Sequence, residues 1–232
     1  MALREFIYLS DAKLRQFLPH PRRLRRPGAL RLTTPVGGID LDAPAGDADS
    51  ARGRQLAQVV GHLEESARWF AEPDLRPGGW VWFEAPLLYF TLRDADRDLV
   101  LFTDPVPGTD PQYPAPGCRL LLHGSVRHLL GVIPVPVGGA PLVEYGGGGD
   151  SGGTPFITAA GRVVRALTGT DAPAPPGAQG VRDLLAALDA LQPDLPTAPL
   201  TQGYARVTAS LPATANAPRC LVASPLTVEY TP

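Results

Sequence analysis

Leu56, Val59, Val60, Leu63, Ala67 and Phe70 recur at the spacing of one helical face. That stripe predicts a long amphipathic helix capped by Asp49 or Ser50, with His62, Glu64 and Glu65 off the stripe and Pro73 and Pro77-Gly78-Gly79 beyond its end. A second helix is predicted with Thr154 as cap, Pro155 at its first position and a stripe of Phe156, Ile157, Ala160, Val163, Val164 and Leu167. A third runs from Val181 to Leu191, with Leu184, Leu185, Leu188 and Leu191 on one side. Ser10 is placed to cap a shorter helix, Asp11 to Leu18, because its hydroxyl can accept from an orphan amide of the first turn.

Elsewhere the polarity follows the period of a strand. Glu5 to Leu9, Leu30 to Thr33 and Gly38 to Leu41 read as short strands. WVWFEAPLLYFTLR, residues 80–93, is rich in aromatic and branched side chains, but Pro86 has no amide to give a ladder. The run is therefore bulged, at an edge, or two strands, with DLVLFTD as hairpin partner. In CRLLLHGSVRHLLG, Gly124-Ser125 suits a two-residue turn and predicts a second hairpin. The chain closes on GYARVTASL and RCLVASPLTVEY, again strand-like. Strands at both ends with helices between predict a single α+β domain over residues 1–232, built on a mostly antiparallel sheet with about three amphipathic helices. Pro/Gly-rich loops fall at 19–29, 105–117, 138–153 and 170–179.

Composition narrows the function. Lys13 is the one lysine against 20 arginines, a bias that a GC-rich coding sequence produces without selection on function. Cys118 and Cys220 are isolated, so neither a zinc site nor a disulfide framework is expected, and no metal or cofactor is implied. The apolar run Phe6 to Leu9 meets Asp11 at once, too short for a signal segment or a membrane span; a cytoplasmic protein with no membrane partner is the expectation.

REFIYLSDAKL, RLLLHGSVRHLLG and CLVASPLTVEY together resemble an uncharacterised actinobacterial family of unknown function. The matching positions are Ser10, Asp11 and Lys13; Gly124, Ser125, His128 and Gly131; and Ala223, Ser224, Pro225 and Leu226. The resemblance implies one domain and a setting among loci for bacterial conflict or defence. It transfers no catalytic residue, and it departs at position 123, where the family tends to a small side chain and this chain has His123.

Four constellations carry candidate chemistry. GGGGDSGG, residues 146–153, contains the five letters that surround the nucleophile of trypsin-like proteases, but the order and context of histidines and the three helices contradict that reading for Ser151. A Walker-type phosphate loop is excluded because it needs a lysine there. An anion contact at Asp150, Ser151 and Thr154 remains, since unpaired amides at a helix start favour negative charge. In the expected hairpin, His123 and His128 project from one face and Arg127 from the other, which suits acid–base work or a metal, although no nearby segment supplies the third ligand a metal needs. Finally, Arg22, Arg23, Arg25 and Arg26 form a basic loop without interleaved aromatics, so nucleic acid is a weak third expectation.

The leading expectation is a non-catalytic sensor or adaptor that binds a small anionic ligand or a protein partner through Arg127, His128, Asp150, Ser151 and Thr154. The competing one is a hydrolase using His128 with Ser125, Ser151 or His123.

Overall fold

The computed structural model describes residues 4–17, 45–92, 99–106, 117–130, 135–136, 156–157, 160–161, 163–164, 177–191 and 198–231. The strands predicted at 30–33 and 38–41 lie outside them. The described elements form an α+β domain around one mixed sheet of nine strands. They are β1 (Phe6–Leu9), β2 (Arg68–Trp69), β3 (Trp80–Pro86), β4 (Leu88–Leu92), β5 (Leu99–Thr103), β6 (Cys118–Ser125), β7 (Val135–Pro136), β8 (Leu200–Leu211) and β9 (Arg219–Tyr230). The order is β2-β3-β8-β9-β6-β5-β4-β7, with β1 also on β9. Five pairings are antiparallel; β2 on β3, β4 on β7 and β6 on β9 are parallel.

Pro86 divides the long aromatic run into two strands. β3 ends there and β4 begins at Leu88, yet β8, β9, β6 and β5 stand between them in the order. Two residues of chain span at most ~7 Å, so the sheet must curl until its two sides meet at Leu87, which is fully buried. Its concave side is the main core: Val81, Phe83, Val100, Phe102, Leu120, Leu122, Ala205, Val207, Leu221 and Ala223 pack together there. The alternate residues of the same strands face outward: Leu101, Leu121 and Val222 of β5, β6 and β9 lie under helices, while Trp82, Glu84 and Arg206 of β3 and β8 are exposed.

Two helix-covered clusters occupy that outer side. Leu56, Val59, Val60 and Leu63 of α2 (Ala45–Ser66) pack on Leu9 and Leu226, with Leu14 of α1 (Asp11–Gln16). Ser10 caps α1 as predicted, its Oγ accepting from the Lys13 amide at 3.4 Å. α2 starts before the expected cap and ends at Ser66, so Phe70 lies beyond it, inside the barrel. The second cluster places Phe156, Ala160, Val163 and Val164, from the helical positions between 156 and 164, with Val181, Leu184, Leu185 and Leu188 of α3 (Gly177–Asp189). Leu191 was expected on the buried side of that helix, but it falls past the helix end and is exposed.

The predicted hairpin at Gly124-Ser125 is not formed. β6 runs straight through Gly124 to Ser125 and then enters a single tight helical turn, Val126–His128. Its partners are β5 and β9; the β9 ladder ends at Leu122, and the turn-forming dipeptide is overridden by the β5 ladder, which pairs Gly124 with Val100 and Ser125 with Leu99.

Candidate functional site

Along β6, Cys118, Leu120 and Leu122 point into the barrel, which sends Arg119, Leu121 and His123 outward. His123 is fully buried there. Its ring lies flat on Phe156, with centroids 4.2 Å apart and planes 3° from parallel. The Nε2 atom stands 3.2 Å from Thr208 Oγ1. Thr208 Oγ1 in turn donates to the Val222 carbonyl at 3.0 Å. A hydroxyl has one proton. Since Thr208 spends its proton on Val222, it accepts from His123, and the imidazole must carry its hydrogen on Nε2. Nδ1 is then a bare acceptor, and among the described residues it has no hydrogen-bond partner. Burial, with a smaller contribution from the charge of Lys13, pushes the imidazole down to about 3, so the ring is neutral at physiological pH.

Ser224 stands beside it. The parallel ladder pairs Leu122 with Ala223, and His123 and Ser224 are the next residue on each strand. Ala223 faces the barrel interior and Val222 the outer cluster, so Ser224 shares the outer side with Val222 and His123. It is 1% exposed, and among the described residues its Oγ has no partner. The third member is placed by a bulge: Val207 pairs with Ala223 and Ala209 with Val222, leaving Thr208 as the extra residue. A bulge re-aims a side chain, and here the re-aimed group is the hydroxyl on Nε2. Thr208 and Ala209 are only partly buried, so this polar seam reaches the surface at β8.

The structure separates the two histidines that the hairpin had joined. His128 lies in the turn after β6, edge-on to Tyr8 at 5.7 Å, half-buried and lowered in pKa chiefly by burial and then by Arg127. It therefore shares no strand face with His123. Ser125 closes β6, partly exposed, and Arg127 is exposed. Asp150, Ser151 and Thr154, and the arginines at 22, 23, 25 and 26, lie outside the described residues, although Phe156 follows Thr154 by two positions. Ser224, Thr208 and Phe156 were not marked as site residues by sequence reasoning. The ladder beside His123 makes them neighbours, and only Ser224 carried a hint, in the Ala-Ser-Pro-Leu segment.

A second buried polar cluster is closed on itself. Arg119 donates from Nε to Asp104 Oδ1 at 2.8 Å and from Nη1 and Nη2 to both Asp189 carboxylate oxygens at 2.9 Å. The Leu120 amide also donates to Asp104. Burial raises Asp104 to about 6 against the opposing pull of Arg119. With every contact used inside the molecule, this clamp ties the end of α3 to β5 and β6. Cys118 and Cys220 are both buried, on opposite sides of the sheet, one in each core.

Among the described residues, no group of three or more His, Cys, Asp or Glu side chains is arranged to hold a metal ion, and no helix is long and apolar enough to cross a membrane. No curated protein and no solved structure matches the chain. A family model does match, over residues 4–231, nearly end to end, and the chain thereby belongs to a family of unknown function, DUF7019.

Proposed function

We propose that this protein is a non-catalytic binding module, a sensor or adaptor for a small ligand or partner, whose recognition site is the outer side of the barrel at His123. The observation that carries the reading is the imidazole itself: neutral, fixed in one tautomer by Thr208, and left with an unpaired buried acceptor. Buried polar groups are nearly always paired, and an exception calls for a role. Phe156, which stacks on the ring, follows the Gly-rich segment, so Asp150, Ser151 and Thr154 are retained as proposed contacts for an anionic part of the ligand, with Arg127 and His128 at the end of β6. The biological setting proposed is a bacterial conflict or defence pathway, which rests on the resemblance of the three segments alone.

The hydrolase alternative is less well supported at this histidine. A general base works best with a pKa near the operating pH, and His123 lies well below it.

Thermal-shift screening of nucleotides, nucleosides and divalent metals against the whole chain and its His123→Phe variant tests the proposal, because a ligand selective for the native state raises its apparent stability. A compound that stabilises the parent protein and not the variant is expected. Ligands that stabilise both equally, or ester hydrolysis that disappears with His123, would overturn it.

A further inference from the structure

The seam holds two orphan atoms. Nδ1 of His123 is a fixed acceptor, and Oγ of Ser224 is a hydroxyl with both a proton and lone pairs to place. They sit on adjacent strands, one residue past the Leu122 and Ala223 pair, on the same side of the sheet. The last ladder pair, Leu122 with Ala223, sets the two strands ~4.8 Å apart where they lead into these residues, a separation that one interposed polar group can bridge. Along β9, Val222 and Leu226, two positions either side of Ser224, belong to the helix-covered clusters, and Arg206, exposed, pairs with Ser224 from β8.

We propose that His123 Nδ1 and Ser224 Oγ grip one uncharged ligand group that donates one hydrogen bond and accepts another, a primary amide or a hydroxyl, entering beside Thr208. This rests on the binding reading above and names its chemistry. The ligand's N–H or O–H donates to Nδ1, and the Ser224 hydroxyl donates to the ligand's oxygen. A carboxylate satisfies only half of this. It offers no proton to Nδ1 and sets its negative oxygen against the ring's lone pair, in a site where burial strengthens that repulsion. Any anionic part of the ligand must then lie outside the seam. The Thr208 bulge fits the same purpose, because without its accepting hydroxyl the imidazole is free to exchange tautomers and present N–H instead of the lone pair.

Acetamide and acetate, alike in size and opposite in this respect, test the idea. The whole chain with nitrogen-labelled histidine is titrated with each while the His123 ring resonances and the melting temperature are followed. Acetamide is expected to shift the Nδ1 resonance and raise the melting temperature, while acetate leaves both unchanged. Ser224→Ala should weaken acetamide about fivefold, the loss of one net hydrogen bond. Should that variant not fold, Thr208→Val, which unpins the tautomer, must weaken acetamide in its place. The proposal is overturned by no response to acetamide, by an equal response to acetate, by a response that Ser224→Ala leaves unaltered, or by a bridging water that acetamide does not displace. If screening meanwhile yields a His123-dependent ligand that is indifferent to Ser224, the binding reading survives and this chemistry falls. If no ligand depends on His123, the reading itself falls.

Discussion

Gly124 and Tyr8 are in contact across the meeting point of β6 and β1, so tightly that a Cβ at position 124 would stand 2.7 Å from Tyr8 Cζ and collide with the hydroxyl. Tyr8 cannot retreat, because it is fully buried and its ring packs edge-on against Phe102 and His128. Gly124→Ala is therefore expected to destabilise by ~1–3 kcal/mol, the usual range for overpacking. Among the described residues the Tyr8 hydroxyl has no hydrogen-bond partner of good geometry, and burial has pushed its pKa up to about 12 against the opposing pull of the nearby Ser125 backbone and Ser10 side chain, which lie too poorly aligned to count as hydrogen bonds. Tyr8→Phe should be neutral or stabilising, and in a denaturant double-mutant cycle it should recover part of the Gly124→Ala loss. Full additivity would show that the two residues do not press on one another.

That contact also shows where sequence reasoning stopped. Gly124 was read as turn chemistry, when it serves a close approach that joins residues far apart in the chain. Local pattern was sufficient for β1, the Ser10 cap, the α2 stripe from Leu56 to Leu63, β5, β8 and β9, whose signals are periodic and self-contained. It was also sufficient to see that Pro86 interrupts a strand. It was silent on the parallel pairing of β6 with β9, since a ladder partner leaves no trace in a strand's own pattern. The candidate site depends on that pairing, so His123 was legible as a residue of interest while Ser224 and Thr208 were not.

The ion-pair clamp makes a sharper test of stability. Arg119→Ala leaves Asp104 buried opposite nothing and frees the end of α3, where Asp189 had been held by two bonds. Removing one member of a buried pair typically costs ~3–5 kcal/mol. Urea denaturation should show that loss, with Arg119→Lys recovering little of it, because one ammonium cannot span both carboxylates. A loss below about 1 kcal/mol, as for a surface pair, would contradict a buried clamp.

The thiols should be inert in the native state. Cys118 is raised in pKa chiefly by burial, and Cys220 is raised further for the same reason. The thiolate is the reactive form, and the two side chains leave opposite sides of the sheet, so no disulfide forms between them. Maleimide labelling is expected only after denaturant is added. Rapid labelling of either cysteine in the folded protein would be inconsistent with the two cores.

The pH dependence of stability should carry two opposing contributions. His123 is lowered to about 3 in the folded chain from an ordinary value of 6.5. Between those values the unfolded chain binds the proton that the folded chain refuses, so this contribution is full above pH ~6.5 and is lost progressively as pH falls toward ~3. Asp104 is raised to about 6 from 3.8. Here the folded chain holds the extra proton, so its contribution is full below pH ~4 and is lost as pH rises to ~6. At ~1.4 kcal/mol per unit the two are on the order of 5 and 3 kcal/mol. Their slopes oppose one another between pH ~4 and ~6, with His128, lowered in the same sense, adding to the His123 side; below that His123 carries the fall together with Glu72, which Arg68 holds down. Chemical denaturation across pH 3 to 7 should accordingly show a plateau followed by a fall below pH ~4. His123→Phe should shrink the fall and let stability climb as pH drops from 6 to 4; Asp104→Asn should remove the plateau and begin the decline near pH ~6.5. A decline in His123→Phe identical to that of the parent protein would show that the imidazole is not held neutral, and with it the unpaired acceptor on which the binding site is built would be lost.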